Sequence, residues 1–226
     1  MKQLLLDITP PPAPTLDNFV PGRNAEQVVA LYALANGSSD ERFIYLWGAD
    51  SSGRSHLLRA VVDAARRNGR LAAWFDAHAD AFDAADDALC AVDDVHLLGA
   101  EAQIALFHLH NRIRAGGGAL IASGNAAPAQ LALRADLVTR LASGLVYQVH
   151  GLNDEEKSAA LRRHADARGL RLAPEVAAYL LRHARRDMPS LLALLDALDR
   201  YSLETQRAIT VPLLRDLLTL TPDPYP

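Results

Sequence analysis

The segment Gly48-Ala49-Asp50-Ser51-Ser52-Gly53-Arg54-Ser55 departs by one letter from G-x-x-x-x-G-K-[ST]. That loop cradles phosphate oxygens with main-chain N–H groups at a helix N-terminus, and it works only between a buried strand and a helix. Both flanks are present. Phe43-Ile44-Tyr45-Leu46-Trp47 is an apolar run of strand length, and Leu57, Leu58, Ala60, Val61 and Val62 recur at helical spacing. Arg54 keeps the positive charge of the usual lysine but presents a wide planar fork in place of a compact ammonium. The sequence therefore supports nucleotide binding more strongly than fast turnover.

Around the loop, strand and helix signals alternate. Apolar runs at Leu71 to Phe75, Ala88 to Val92, Ala119 to Ser123 and Leu145 to Val149 join Phe43 to Trp47 as five strands. Helical stretches are expected at Asn24 to Ala35, Ser55 to Arg67 and Glu101 to Arg114. Strands alternating with helices predict an α/β fold, a parallel five-stranded sheet covered on both faces. From Asn153 the strands stop. Glu155 to Arg168, Pro174 to Arg185, Met188 to Thr205 and Val211 to Leu220 read as helices, with Asn153 or Asp154, Asp187 and Thr210 as N-caps. Pro10, Pro11, Pro12 and Pro14 form a semi-rigid spacer. The expected division is a tail and spacer over 1–14, an α/β domain over 15–151 and a small all-helical domain over 152–226.

Composition narrows the partners. A net charge of -4 argues against a surface that holds DNA by neutralising phosphates. The single cysteine, Cys90, lies in an apolar run and reads as a small buried hydrophobe. Leu4-Leu5-Leu6 is too short for a secretory core, and no stretch approaches the roughly 18 apolar residues of a membrane span. The cytoplasm is the expected compartment.

The strand Ala88 to Val92 runs into Asp93-Asp94, and ligands of open α/β sheets bind at strand carboxyl ends. Asp93 would hold Mg²⁺ beside Ser55, since a hard cation takes carboxylate, hydroxyl and water oxygens. Asp94 could orient an attacking water. Alone, the pair reads as a helix cap or a solvated loop; the phosphate loop is what favours the metal role. Asn125, at the tip of the next strand, offers an amide to a terminal phosphate. His96, His108 and His110 lack the spacing of a zinc site. Gly116-Gly117-Gly118 reads as a helix stop, and 76–87 as a helical or irregular acidic connection.

Four segments in this order resemble AAA+ modules. They are Leu16-Asp17-Asn18-Phe19-Val20-Pro21-Gly22-Arg23-Asn24, Gly53-Arg54-Ser55-His56-Leu57-Leu58, Val92-Asp93-Asp94-Val95-His96-Leu97-Leu98 and Asp136-Leu137-Val138-Thr139-Arg140-Leu141. Within that class they are similar to the DnaA-related group of bacterial replication proteins, and more narrowly to the short DnaA homologues that drive regulatory inactivation of the initiator. The resemblance implies an ADP-favouring site for ADP or ATP with Mg²⁺, formed by Phe19, Val20, Gly48, Ser52, Gly53, Arg54, Ser55 and His56. It makes the last helical region the lid of the AAA+ module. It implies that Arg140, with Asp94 and Asn125, belongs to the catalytic group, Arg140 acting on a partner's ATP; without the motif match, Arg140 reads as solvated or paired with Asp136. Gln3, Leu4, Leu6 and Ile8 have the Q-L-x-L-x-hydrophobic shape of peptides that bind the DNA polymerase III β sliding clamp, although the bare pattern also fits an unstructured tail. DnaA is the other partner implied. DNA is expected to be met only through the clamp, no membrane is involved, and a homo-oligomer is allowed. DnaA continues past its lid into a DNA-reading domain, whereas this sequence ends at Pro226, so no such domain is expected. Pro189 stands where related lids carry a phosphate-contacting arginine, which leaves that role to Arg185, Arg186 or no residue. The rival reading is a self-contained ATPase or helicase-loader-like protein that contacts DNA; a blander one is a nucleotide-gated adaptor without catalysis.

Overall fold

The computed structural model describes residues 13–79, 81–185 and 187–220. The proposed clamp-binding residues Gln3, Leu4, Leu6 and Ile8 lie outside them, as do Pro10 to Pro12 and Arg186. The chain divides into two units, one spanning Pro14–Gly151 and the other containing the helices that follow Leu152.

In the first unit the elements run α1 (Ala25–Asn36), β1 (Phe43–Trp47), α2 (Arg54–Arg67), β2 (Ala72–Phe75), β3 (Leu89–Val92), α3 (Ala100–Gly116), β4 (Ala119–Gly124), α4 (Ala135–Leu141) and β5 (Leu145–Gln148). All strands pair parallel in the order β2-β3-β4-β1-β5. Register brings Trp47 level with Gly124, and Val92 level with Ala122, so the central strands end close together at one edge.

Alternation along each strand builds two cores. Ile44, Leu46, Leu89, Ala91 and Ile121 face the side covered by Leu31 and Leu34 of α1 and by Leu57, Leu58 and Val61 of α2. Tyr45, Cys90, Val92, Leu120 and Ala122 face the other side, under Leu106, Leu109 and Ile113 of α3 and Leu137 of α4. The acidic connection after β2 is irregular rather than helical, because Phe82 leaves solvent to meet Phe75 edge-on at 5.3 Å and is 5% exposed. Gly117, at φ 85°, ends α3, as expected of a helix stop.

The second unit comprises α5 (Asp154–Ala167), α6 (Pro174–His183), α7 (Met188–Thr205) and α8 (Val211–Leu220). Leu161, Val176, Leu180, Leu191, Leu195, Leu198, Leu213 and Leu217 form its core. Asn153 and Glu156 make a reciprocal capping box, and Asp187 accepts from Ser190 N at 2.9 Å to start α7. Helix α6 stops at His183, short of the expected Arg185, because Ala184 is extended (φ -114°, ψ 169°) and Arg185 pairs with the cap Asp187 at 3.5 Å. Pro189 sits in the first turn of α7, where its missing N–H costs nothing. Among the described residues, no helix is long and apolar enough to cross a membrane.

Strand β5 is an edge, and an edge leaves main-chain groups to be satisfied by other means. The segment entering α1 does this with side-chain amides. Asn24 is fully buried; its Nδ2 donates to His150 O and its Oδ1 accepts from His150 N, both at 2.8 Å, while Gln27 Nε2 donates to Gln148 O at 3.0 Å. Asn24→Ala orphans a buried donor and acceptor together. Urea unfolding of the variant is expected to show a loss of about 2–4 kcal/mol, reckoned from the cost of unpaired buried groups; a change below about 0.5 kcal/mol would show that Asn24 does not hold this edge.

Candidate functional site

The loop between β1 and α2 is shaped by close approaches. A Cβ on Gly48 would lie 2.3 Å from Val149 O, and Gly53 has φ +103° with space for a Cβ closed by the Phe19 ring at 2.8 Å. Phe19 packs against His56 with centroids 5.5 Å apart, and His56 Nε2 lies 2.9 Å from Thr15 O. Burial pushes the His56 pKa down, which favours a neutral ring. Thus Phe19, Gly53 and His56 come together at the first turn of α2, with Val20 half-buried beside them in sequence. Ser55, second residue of α2, is partly exposed. Ser52 is 6% exposed, and its hydroxyl has no hydrogen-bond partner among the described residues. A buried hydroxyl left unpaired is costly, so this one calls for an acceptor or donor from outside the chain.

Arg54 does not extend from the loop. Its side chain is 6% exposed; Nη1 donates to Gly48 O and, at 2.7 Å, to Gly124 O, while Nη2 donates to Asp94 Oδ1 at 3.1 Å. The exposed Asp50 carboxylate is 3.6 Å away. One guanidinium therefore joins the carboxyl ends of β1, β4 and β3. Tyr45 guards the same edge: its hydroxyl donates to Ala126 O at 2.9 Å and lies 2.1 Å from where a Cβ on Gly124 would be.

The two carboxylates after β3 differ. Asp93 is 5% exposed, and its Oδ1 accepts from Ser123 Oγ and from Asp94 N. Asp94 adopts a left-handed conformation (φ 48°, ψ 49°), which Asp tolerates better than most residues, and its N–H also donates to Ser123 Oγ at 3.0 Å. Burial and the neighbouring Asp93 raise the Asp94 pKa, against the lowering effect of Arg54. Asn125 is exposed past the end of β4.

Arg140 belongs to a separate patch at the end of α4. Asp136 is taken by Arg134, at 2.8 Å, rather than by Arg140. The Arg140 guanidinium lies 5.6 Å from the Phe107 centroid. With Phe43, Tyr45, Leu141 and His110 it lines a cavity of about 10 Å³. His110 is 1% exposed, meets the Phe43 ring at a tilt with centroids 4.4 Å apart, and has neither ring nitrogen partnered among the described residues.

Comparison with known proteins places this arrangement. Residues 154–218 match the family model described as Hda, lid domain. An uncharacterized protein of Haemophilus influenzae is 35% identical over 232 residues, spanning 97% of this chain and 99% of its own. The fold is that of domain III of the Thermotoga maritima replication initiation protein DnaA (TM-score 0.68, 19% identity, 93% of this chain and 98% of that one). AMPPCP-bound DnaA from Aquifex aeolicus is similar as well (TM-score 0.64, 21% identity, 86% of this chain and 70% of that one). By its lid the chain is Hda-like, and its fold is that of a DnaA AAA+ domain.

Three features of this Hda-like chain escaped the sequence reading: the anchoring of Arg54 to carbonyls, the Ser123 bridge between the paired aspartates, and the burial of His110. Only Ser123 carried a signal, since a polar residue inside a buried strand has to find a partner. His110 yields a pH test. Burial first, then Arg140 and Arg114, pushes its pKa from 6.5 down to about 4. The unfolded chain therefore takes up the proton first, so the stability contribution is full above pH 6.5 and is lost as pH falls toward 4. His110→Phe should remove about 2 kcal/mol of the parent's decline between pH 7.5 and pH 5 in urea titrations; parallel pH profiles for the two proteins would show that His110 does not titrate in this way.

Proposed function

We propose that this Hda-like chain binds an adenine nucleotide at the Gly48–His56 loop, docks on the DNA polymerase III β sliding clamp, and stimulates hydrolysis of ATP held by DnaA. The observation that carries the nucleotide assignment is the buried Ser52 hydroxyl, without a hydrogen-bond partner among the described residues, in a loop that ends at the N-terminus of a 14-residue helix. Such a helix end offers N–H groups and positive potential to phosphate. The DnaA relative bound to AMPPCP supports an adenine base, and the Phe19–His56 pair provides an aromatic wall beside the loop.

The oxygen donors also suit Mg²⁺. Ser55 and Asp93 supply a hydroxyl and a carboxylate, and Mg²⁺ is usually held by one or two protein groups with phosphates and water completing the shell. Asp93 is prepared for the role by Ser123 and Asp94 N, which hold its Oδ1 in place. Bound there, the cation would neutralise phosphate charge.

Arg140 supports action on a partner. Its expected intrachain carboxylate is occupied by Arg134, and its guanidinium lies over the Phe107 ring with no carboxylate paired to it among the described residues. An arginine delivered to another subunit's transferring phosphoryl accelerates transfer by about 10³ to 10⁵. Gln3, Leu4, Leu6 and Ile8 remain the proposed clamp ligand on their sequence pattern.

The test is hydrolysis of DnaA-bound ATP in the presence of clamp loaded on DNA. Arg140→Ala should retain ADP binding by calorimetry and clamp binding by pull-down, yet leave hydrolysis within about twofold of the rate without the regulator. Stimulation equal to the parent's would contradict the trans-acting role. Absence of ADP binding by the parent would contradict the nucleotide assignment.

A further inference from the structure

We infer that Arg54 is a positioning residue that ties Asp94 to the main chain of the phosphate loop, and that this tie keeps the site from turning over its own ATP. The inference rests on the nucleotide-binding reading above and assigns a mechanism to its single departure from the usual loop.

A loop lysine acts on phosphate as a compact point charge at the end of a flexible stem. Arg54 is held otherwise. Nη1 serves two carbonyls, of Gly48 and Gly124, and Nη2 serves Asp94 Oδ1 at 3.1 Å, with Asp50 3.6 Å off. These partners come from three neighbouring strand ends, and only a rigid fork with five N–H donors spans them at once. The side chain is 6% exposed. A cation that deeply buried is strongly destabilising once its partners are removed, so swinging Arg54 out to a phosphate means surrendering two carbonyls and a carboxylate together.

Asp94 pays the chemical consequence. To orient or deprotonate an attacking water, a carboxylate needs a free, basic oxygen aimed at that water. Asp94 Oδ1 accepts from the guanidinium, and the residue's N–H is fixed by Asp93 and Ser123. One oxygen of the carboxylate is thus engaged by the protein and the residue's backbone is fixed. A bound nucleotide would be retained, with hydrolysis left to the partner that Arg140 addresses.

The experiment measures steady-state ATP hydrolysis by the full chain alone, at saturating Mg·ATP, for the parent, Arg54→Lys, and Arg54→Lys with Asp94→Asn. Lysine cannot span the three strand ends, so Arg54→Lys should raise turnover at least tenfold, and the added Asp94→Asn should abolish that gain. No gain, or a gain that survives Asp94→Asn, would overturn the inference. A second measurement needs neither nucleotide nor the Arg54 variant. Hydrogen exchange at the Arg54 guanidinium, followed by NMR, should be slow in the parent and at least tenfold faster in Asp94→Asn, an isosteric change at a partly exposed position. Equal exchange rates would overturn the tie between the two residues. Failure of the parent to bind ADP would instead remove the nucleotide reading, which this second measurement does not use.

Discussion

The guanidinium of Arg54 fixes the functional edge of this protein. It sits where β1, β4 and β3 end and takes one acceptor from each: Gly48 O, Gly124 O and Asp94 Oδ1. Backbone must come very near for that geometry. Gly48 leaves no space for a Cβ beside Val149 O, and Gly124 none beneath the Tyr45 hydroxyl. Gly48 and the strand-end Gly124 both belong to this crowded polar centre, whereas Gly53 is required by its positive φ and the nearby Phe19 ring. A buried cation of this kind is tolerated because its partners are complete, and it makes the strand ends interdependent.

Around that centre the site separates binding from chemistry. Ser52, Ser55 and the start of α2 offer donors and a hydroxyl to phosphate, and Phe19 and His56 close the loop from the side. Asp93 is locked by Ser123, whereas Asp94 turns its Oδ1 to Arg54. The charge proposed to act on a partner's ATP stands elsewhere, on α4, where Arg134 occupies Asp136 and the Arg140 guanidinium lies over Phe107. Under the proposed function, such an arrangement would sense a nucleotide and act on a partner's rather than consume its own.

Much of the fold was legible because it is written in local periodicity. Phe43–Trp47, Met188–Thr205 and Val211–Leu220 match their apolar runs to the residue, and Asn153 and Asp187 cap the helices they precede. What was not legible depends on contacts far apart in sequence. The loop motif marks Arg54 as a cation near phosphate, but its carbonyl partner Gly124 is 70 residues away and its carboxylate partner 40. Asn24 reads as a helix start, yet its amide completes an edge strand 126 residues on. The irregular course after β2 follows from Phe82 finding Phe75, which the acidic pattern around it conceals. His110 looked like one of three scattered histidines; burial against Phe43 sets it apart.

The central claim is that Arg54 braces the strand ends rather than grips the nucleotide, and a crystal structure of the ADP complex tests it most directly. The account predicts Arg54 Nη1 within hydrogen-bond distance of Gly48 O and Gly124 O, and Nη2 on Asp94, with ADP phosphates held by loop N–H groups and hydroxyls. A guanidinium released from both carbonyls and bonded to the β-phosphate would contradict it.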